Sequence, residues 1–353
     1  MKRSLIAAYL ALLITLVPAF CLVWGNGDSS SGARPSPSPG LTAAPAALKA
    51  SEDISAPVPT VHPNPSPSPE AVIAAGEPAP ERLLVKCGPE VYDVEMQEYL
   101  KGVVAAEMPA YFEPEALKAQ AVAARTYAMY CAATGRHSDA QVCTDYSCCQ
   151  AWISREDMEN NWGDNFEENY EAVSRAVDET AGEYLCYNGE PVFAAFHSSS
   201  CGATEDCGAI WNPLPYLVSV SSPETADTVP DYISQVELSP LDFRDTVLSS
   251  YPYADFTGEE SSWVGQINLE DSGRVASAVL GGVEISGTEI RSLFSLRSTA
   301  FSLEYTGSSF LFTVTGYGHG VGMSQHGANL MAAQGSDYTQ ILAHYYPGTQ
   351  LVK

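Results

Sequence analysis

The chain has 353 residues, of which 45% are hydrophobic, enough to bury a sizeable core as two domains or as one large domain with a tail. Asp and Glu outnumber Lys and Arg 43 to 17, a net charge of −26, which disfavours any protein-wide attraction to nucleic acid or anionic lipid.

In chain order, Lys2 and Arg3 precede an apolar run, LIAAYLALLITLVPAFCLVW, with no charged residue from Ser4 to Gly27. A membrane-crossing helix needs about 20 such residues. Residues 1–25 are therefore expected to form an N-terminal anchor, the basic end cytoplasmic and the rest outside. A cleaved signal peptide is the rival expectation. Residues 26–82 turn to Pro, Ser, Ala and Gly, too polar and too rich in turn formers to bury a core, and read as an extended spacer.

Folded patterning begins at Leu83. LLVKCGPEVYDV reads as a strand or hairpin. DVEMQEYLKGVVAAEMP places Met96, Leu100, Val103 and Val104 at helical spacing, with an end near Glu107 and Pro109. EPEALKAQAVAARTYAMYCAATG predicts a closely packed helix, with Pro114 suited to its first turn and Gly135 to its C-cap. ENYEAVSRAVDETAG predicts a helix ending at Gly182. In EYLCYNGEPVF, Asn188-Gly189 signals a two-residue hairpin. Short strands are expected between Val236 and Val314, and SQHGANLMAAQG and DYTQILAHYYPGTQL predict two short closing helices. The fold class is α+β: one main domain, residues 83–353, behind the anchor and spacer.

Three groups of residues could carry chemistry. Glu107 closes an apolar helix; a carboxyl group with apolar neighbours resists ionisation and can donate a proton near neutral pH. Its bland alternatives are an exposed helix-end carboxylate or an ion pair with Arg125. GYGHGVGMSQHG lacks the lysine of a phosphate loop, and its alternating glycines suggest close backbone approach to a neighbour or to a sugar chain. Tyr317, His319, Ser324 and Gln325 would then face a cleft, as would His197, Ser198 and Ser200; HSSS lacks the nucleophile-elbow pattern of a Ser-His hydrolase. In RHSDAQVCTDYSCCQAW, His137, Cys143, Cys148 and Cys149 suit a closed, structural zinc site of the Cys₃His type, with disulfide bonding as the rival.

Three blocks extend this reading: EYLKGVVAAEMPAYFEPEALKAQAVAARTYAMY, FAAFHSSSCGATEDCGAIWNPLPYLVSV and GYGHGVGMSQHGANLMAAQGSDYTQILAHYYPGTQL. In order and spacing they resemble the SpoIID/LytB family of stage II sporulation and amidase-enhancer proteins. The resemblance implies a lytic transglycosylase that cuts peptidoglycan glycan strands already stripped of stem peptides, during engulfment in endospore formation. It implies Glu107 as catalytic acid/base, and sugar contacts from the residues above together with Arg125 and Tyr127. It implies zinc ligands matching His137, Cys143 and Cys149, with Cys148 where the family pattern has a histidine. Implied partners are a cell-wall amidase or endopeptidase and a membrane scaffold protein; the amidase-enhancer branch keeps open a noncatalytic, glycan-binding activator. Cys201 departs from the family pattern, and a local Cys201–Cys207 disulfide is the expectation for it.

Overall fold

The computed structural model describes residues 78–353; the expected anchor and most of the expected spacer lie outside the described residues. Among the described residues, no helix is long and apolar enough to cross a membrane.

The hairpin at the start is β1 (Arg82–Cys87) and β2 (Glu90–Glu95), antiparallel from Arg82↔Glu95 to Cys87↔Glu90. It runs directly into α1 (Met96–Glu107). The residue before a proline is pushed out of the helical region, and Met108 is extended at φ −124° and ψ 142°, so α1 stops with Glu107 as its last residue. Helix α2 (Pro114–Thr134) takes Pro114 in its first turn and ends on Gly135, left-handed at φ 62°. Ala116, Ala119, Ala121, Ala123, Ala124 and Ala128 on α2 are fully buried, so neighbouring elements approach its backbone closely. Thr126 fastens one of them: its hydroxyl donates to Val122 and accepts the N–H of Leu185.

After α2, β3 (Val142–Cys143) pairs in parallel with β1. Helix α3 (Arg155–Trp162) and α4 (Phe166–Glu179) follow, then β4 (Tyr184–Tyr187) and β5 (Glu190–Pro191). Tyr187↔Glu190 close the turn on Asn188 and Gly189, both with positive φ (52° and 90°), the conformation those residue types tolerate best. Beyond the hairpin, β6 (Phe196–His197) forms, followed by α5 (Cys207–Ile210).

A second body occupies the middle of the C-terminal half. It contains β7 (Ile233–Leu238), α6 (Pro240–Ser250), β8 (Val264–Leu269), β9 (Val275–Leu280) and β10 (Val283–Ser286), then α7 (Gly287–Leu293), β11 (Phe301–Tyr305) and β12 (Phe310–Thr315). Its sheets have the orders β10-β9-β8 and β11-β12-β7, and it encloses its own core of Phe243, Phe256, Trp263, Phe294, Phe310 and Phe312. The chain then returns to the first core through β13 (Met323–Ser324), α8 (Gln325–Ala333), α9 (Tyr338–Tyr345) and β14 (Gln350–Val352). There β13 pairs with β6, and β14 with β4. The architecture is mixed α+β, with two hydrophobic cores.

The glycine-rich run is what makes that return possible. Gly316, Gly318, Gly320 and Gly322 all have positive φ. A side chain at Gly316 would meet the Ser199 carbonyl at 2.7 Å, and one at Gly322 would collide with the carbonyl of Ala195. Of the two expectations for these glycines, close approach to neighbouring backbone is the one the geometry supplies.

Candidate active site

Glu107 ends α1 half-buried, and both of its oxygens are held. Ala151 N–H donates to Oε1 at 3.1 Å, and Gln325 Nε2 donates to Oε2 at 3.2 Å. Burial pushes the carboxyl group above the ordinary glutamate value, while these two hydrogen bonds favour the ionised form and oppose the shift without cancelling it. A position at a helix C-terminus, where the backbone carbonyls carry partial negative charge, acts in the same direction as burial. Among the described residues, no cation pairs with the carboxylate.

Arg125 does not pair with Glu107. It is fully buried on α2, where Nη1 donates to the carbonyls of Thr180 at 2.8 Å and Glu183 at 2.9 Å, and Nη2 donates to Gln97 at 3.0 Å. The expected sugar contact is corrected to a brace: the guanidinium donates to backbone carbonyls of the turn that follows α4. Tyr127 is likewise inside, its hydroxyl accepting from Arg136 at 2.9 Å and its ring packed on Phe193.

The HSSS segment and the glycine-rich run meet. Ser199 and Tyr317 exchange backbone hydrogen bonds, and His326 N–H donates to Ser198 at 3.0 Å. His197 is buried, with Nδ1 3.2 Å from the Val321 carbonyl and Nε2 2.7 Å from Ser200 Oγ. Burial, with His319 and Arg274 nearby, drives its pKa well down. A neutral ring then donates Nδ1–H to Val321 and accepts the Ser200 hydroxyl proton at Nε2. This superficially resembles a Ser-His pair, but Ser200 is fully buried and a backbone carbonyl stands where a triad carboxylate belongs. His197, Ser200 and Ser324 thus turn inward instead of facing a cleft. Ser198 and His319 are half-buried, and Tyr317 is 41% exposed. Burial beside Arg291 and Arg274 lowers the His319 pKa to about 3.

Glu224 was not singled out in the sequence. It is 3% exposed and lies under the site, where Oε1 accepts Ser200 N–H at 2.9 Å and the Ser324 hydroxyl. Ser324 in turn caps α8 by accepting Gly327 N–H at 3.1 Å, and the next residue, Gln325, reaches Glu107. Glu224 therefore fixes the helix start that presents Gln325. Trp211 was also missed; its ring sits 5.0 Å from that of His319 and 5.5 Å from Phe193.

The donor atoms of His137, Cys143, Cys148 and Cys149 all lie within 4.8 Å of one another. His137 Nε2 is 3.3 Å from Cys149 Sγ and 3.6 Å from Cys148 Sγ. Tetrahedral ligands on zinc sit roughly 3.5 Å apart, so the constellation could hold such an ion with little movement. Two residues after Cys149 comes Ala151, whose N–H holds Glu107. The cysteine loop is thus one wall of the Glu107 site. Cys201 and Cys207 are both free thiols with different partners, contrary to the expected disulfide. Arg274 Nη1 donates to Cys201 Sγ at 2.9 Å, while Cys207 Sγ points at the Asn212 carbonyl at 3.1 Å.

A half-buried, uncompensated glutamate braced by a cysteine loop and a glycine-rich return defines the class of site. The SpoIID family profile, described as a stage II sporulation protein, matches residues 89–187, which contain both Glu107 and the cysteine cluster. Stage II sporulation protein D of Bacillus amyloliquefaciens is 38% identical over 266 residues, covering 74% of this chain and 75% of its own. That of Bacillus subtilis strain 168 is 37% identical with the same coverage. A protein named amidase enhancer, also of Bacillus subtilis, is 29% identical over 303 residues, 71% of this chain and 40% of its own. The chain belongs to the SpoIID family.

Proposed function

We propose that this protein is a lytic transglycosylase of peptidoglycan, acting in engulfment during endospore formation on glycan strands that lack stem peptides. The observation that carries the proposal is Glu107: a carboxyl group whose burial raises its pKa above the ordinary glutamate value, yet not sealed from solvent. In the first half of the reaction Glu107 donates its proton to the glycosidic oxygen between N-acetylmuramic acid and N-acetylglucosamine as the C1–O bond breaks. In the second, the ionised carboxylate takes the proton of the muramic C6 hydroxyl as that oxygen closes onto C1. The product is a 1,6-anhydro ring, and Glu107 ends protonated as it began. No water enters, so a second carboxylate at hydrolase spacing is not needed. Gln325 suits both halves, because its amide can present Nε2–H to the carboxylate or Oε1 to the carboxylic acid.

Zinc bound by His137, Cys143, Cys148 and Cys149 would be structural, since four protein ligands leave no open position. Its contribution would be to hold the loop that leads to Ala151. The anchor and spacer expected for residues 1–82 would keep the domain outside the cytoplasm, where an amidase that strips stem peptides and a membrane scaffold could join it. The likeness to a protein named amidase enhancer supports a second reading, a noncatalytic activator.

Mass analysis of peptide-free glycan incubated with the full-length protein tests the proposal. Anhydro-muramic ends are expected. Reducing ends would make the enzyme a hydrolase, and intact strands alongside a stimulated amidase would establish the activator reading.

A further inference from the structure

Asp and Glu outnumber Lys and Arg by 43 to 17, so an arginine near the surface should find a carboxylate. Five of the described arginines do: Arg82, Arg155, Arg175, Arg244 and Arg274. Arg136, Arg291 and Arg297 are in no ion pair among the described residues; exposed Arg136 donates to the Tyr127 hydroxyl, whereas Arg291 and Arg297, both half-buried, have no side-chain partner of that kind.

Both are held in place by backbone. Arg291 Nε donates to the Leu296 carbonyl at 3.2 Å. Arg297 Nη1 donates to the Asp231 carbonyl at 2.8 Å, and Asp231 itself takes a positive φ of 50°. The guanidinium of Arg297 lies 4.6 Å over the ring of exposed Tyr317, which accounts for its plane but not its charge. Arg297 is tied to the segment that leads to Gln325, and the charge of Arg291 is felt at His319 in the same segment. Arg297 accepts the N–H of Gly318 in the glycine-rich run, and its charge is felt at His326. The His326 ring packs 5.1 Å from Phe112, just beyond the end of α1, and His326 directly follows Gln325, which holds Glu107.

A glycan strand freed of stem peptides is a polyanion, because each N-acetylmuramic acid then ends its lactyl ether in a free carboxylate. A chain of net charge −26 repels such a polymer at long range, so attraction has to be local. We propose that Arg297, backed by Tyr317 and Arg291, is the subsite for that lactyl carboxylate, and so for the mark that distinguishes stripped strands from peptide-bearing ones. The planar guanidinium matches a carboxylate through paired N–H donors. An amide-linked stem peptide puts a neutral amide there, with an N–H facing donors, and steers bulk into the same space.

This inference rests on the glycan-cleaving reading, and its test separates the two. The full-length protein carrying Glu107→Gln, which leaves substrate intact, is titrated calorimetrically with three glycans: peptide-free, peptide-free with its lactyl carboxylates converted to methylamides, and peptide-bearing. The expected result is about tenfold weaker binding of the methylamide and of the peptide-bearing strand, with salt weakening only the free acid. Adding Arg297→Gln should make the free acid and methylamide equal, and Arg297→Lys should restore part of the preference, with unchanged thermal unfolding in both. Equal binding of free acid and methylamide by the parent, peptide-bearing strands bound as tightly as stripped ones, or a preference surviving Arg297→Gln would each overturn the subsite. Cleavage of both peptide-free glycans at equal rates by the chain with Glu107 intact would likewise overturn it while leaving the catalytic reading standing. Selective binding of the free acid, with no cleavage by that chain, would uphold the subsite and sink the catalytic reading.

Discussion

The two cores are built on different principles. The first packs alanine-lined α2 against α1, α4 and the C-terminal helices, and it buries polar groups in quantity: Arg125, Gln150, His197, Ser200, Glu224 and Ser324. The second is an aromatic stack in which Phe243 and Phe310 lie 4.0 Å apart and Trp263 parallels Phe310 at 5.6 Å. Among the described residues, it brings basic side chains toward the segments around the site, Arg274, Arg291 and Arg297. Chemistry requires buried polar groups with internal partners, and those specify geometry. The aromatic body supplies rigidity and a rim of charge.

The largest effect that sharpens this contrast is expected at Glu107. Replacing Glu107 by Gln should lower cleavage of peptide-free glycan by about 10³-fold, within the range of a lost general acid, without unfolding the chain. Release of anhydro-muramic product, followed beside circular dichroism, checks both halves.

Phe310→Ala in the second core should instead act through stability, costing about 3–5 kcal/mol, with cleavage per folded molecule little changed. Denaturant titration and active-site-normalised rates would separate the two; a specific rate that collapses in the folded variant would break the division of labour.

Between these lies Glu224. Glu224→Ala strands the Ser200 N–H and the Ser324 hydroxyl in the interior, a loss of about 1–3 kcal/mol, and should reduce cleavage by freeing Gln325. Gln at this position keeps an acceptor oxygen and should lose less of both. Equal loss in the two variants would contradict a hydrogen-bonding role.

The smallest effect is a pH signature. Because burial raises the Glu107 pKa, the folded chain keeps a proton that the unfolded chain releases above about pH 4.3. The stability this residue contributes is full below that pH and is lost as pH rises through the folded value. Glu107→Gln should therefore match the parent's melting temperature in acid and exceed it modestly at neutral pH.

Much of this was legible in the sequence where local chemistry decides. Pro109 and Gly135 bound the two central helices, and Asn188-Gly189 formed the expected hairpin, because each residue type has few conformations to choose from. Helix α4 ended at Glu179, a little before the expected Gly182. Helix α3 was not foreseen. REDMENNW has almost no apolar periodicity, and its signal is the Ser154–Asp157 capping box. The proximity of Glu107, Gln325 and the cysteine loop is a tertiary fact. Glu224 escaped notice because PETADTVP reads as a solvated loop, and only the fold turns that carboxylate inward. Arg125 misled for the converse reason: charge suggested a ligand contact, whereas the backbone carbonyls of Thr180 and Glu183, just past α4, hold it.

The account stands or falls on the protonation of one side chain. Carbon-13 NMR titration of the glutamate carboxyl carbons, with Glu107→Gln assigning the resonance, measures it directly. A Glu107 midpoint clearly above about 4.3, the ordinary glutamate value, is the predicted result. A midpoint at or below that value would show a freely solvated carboxylate and contradict the proposed acid.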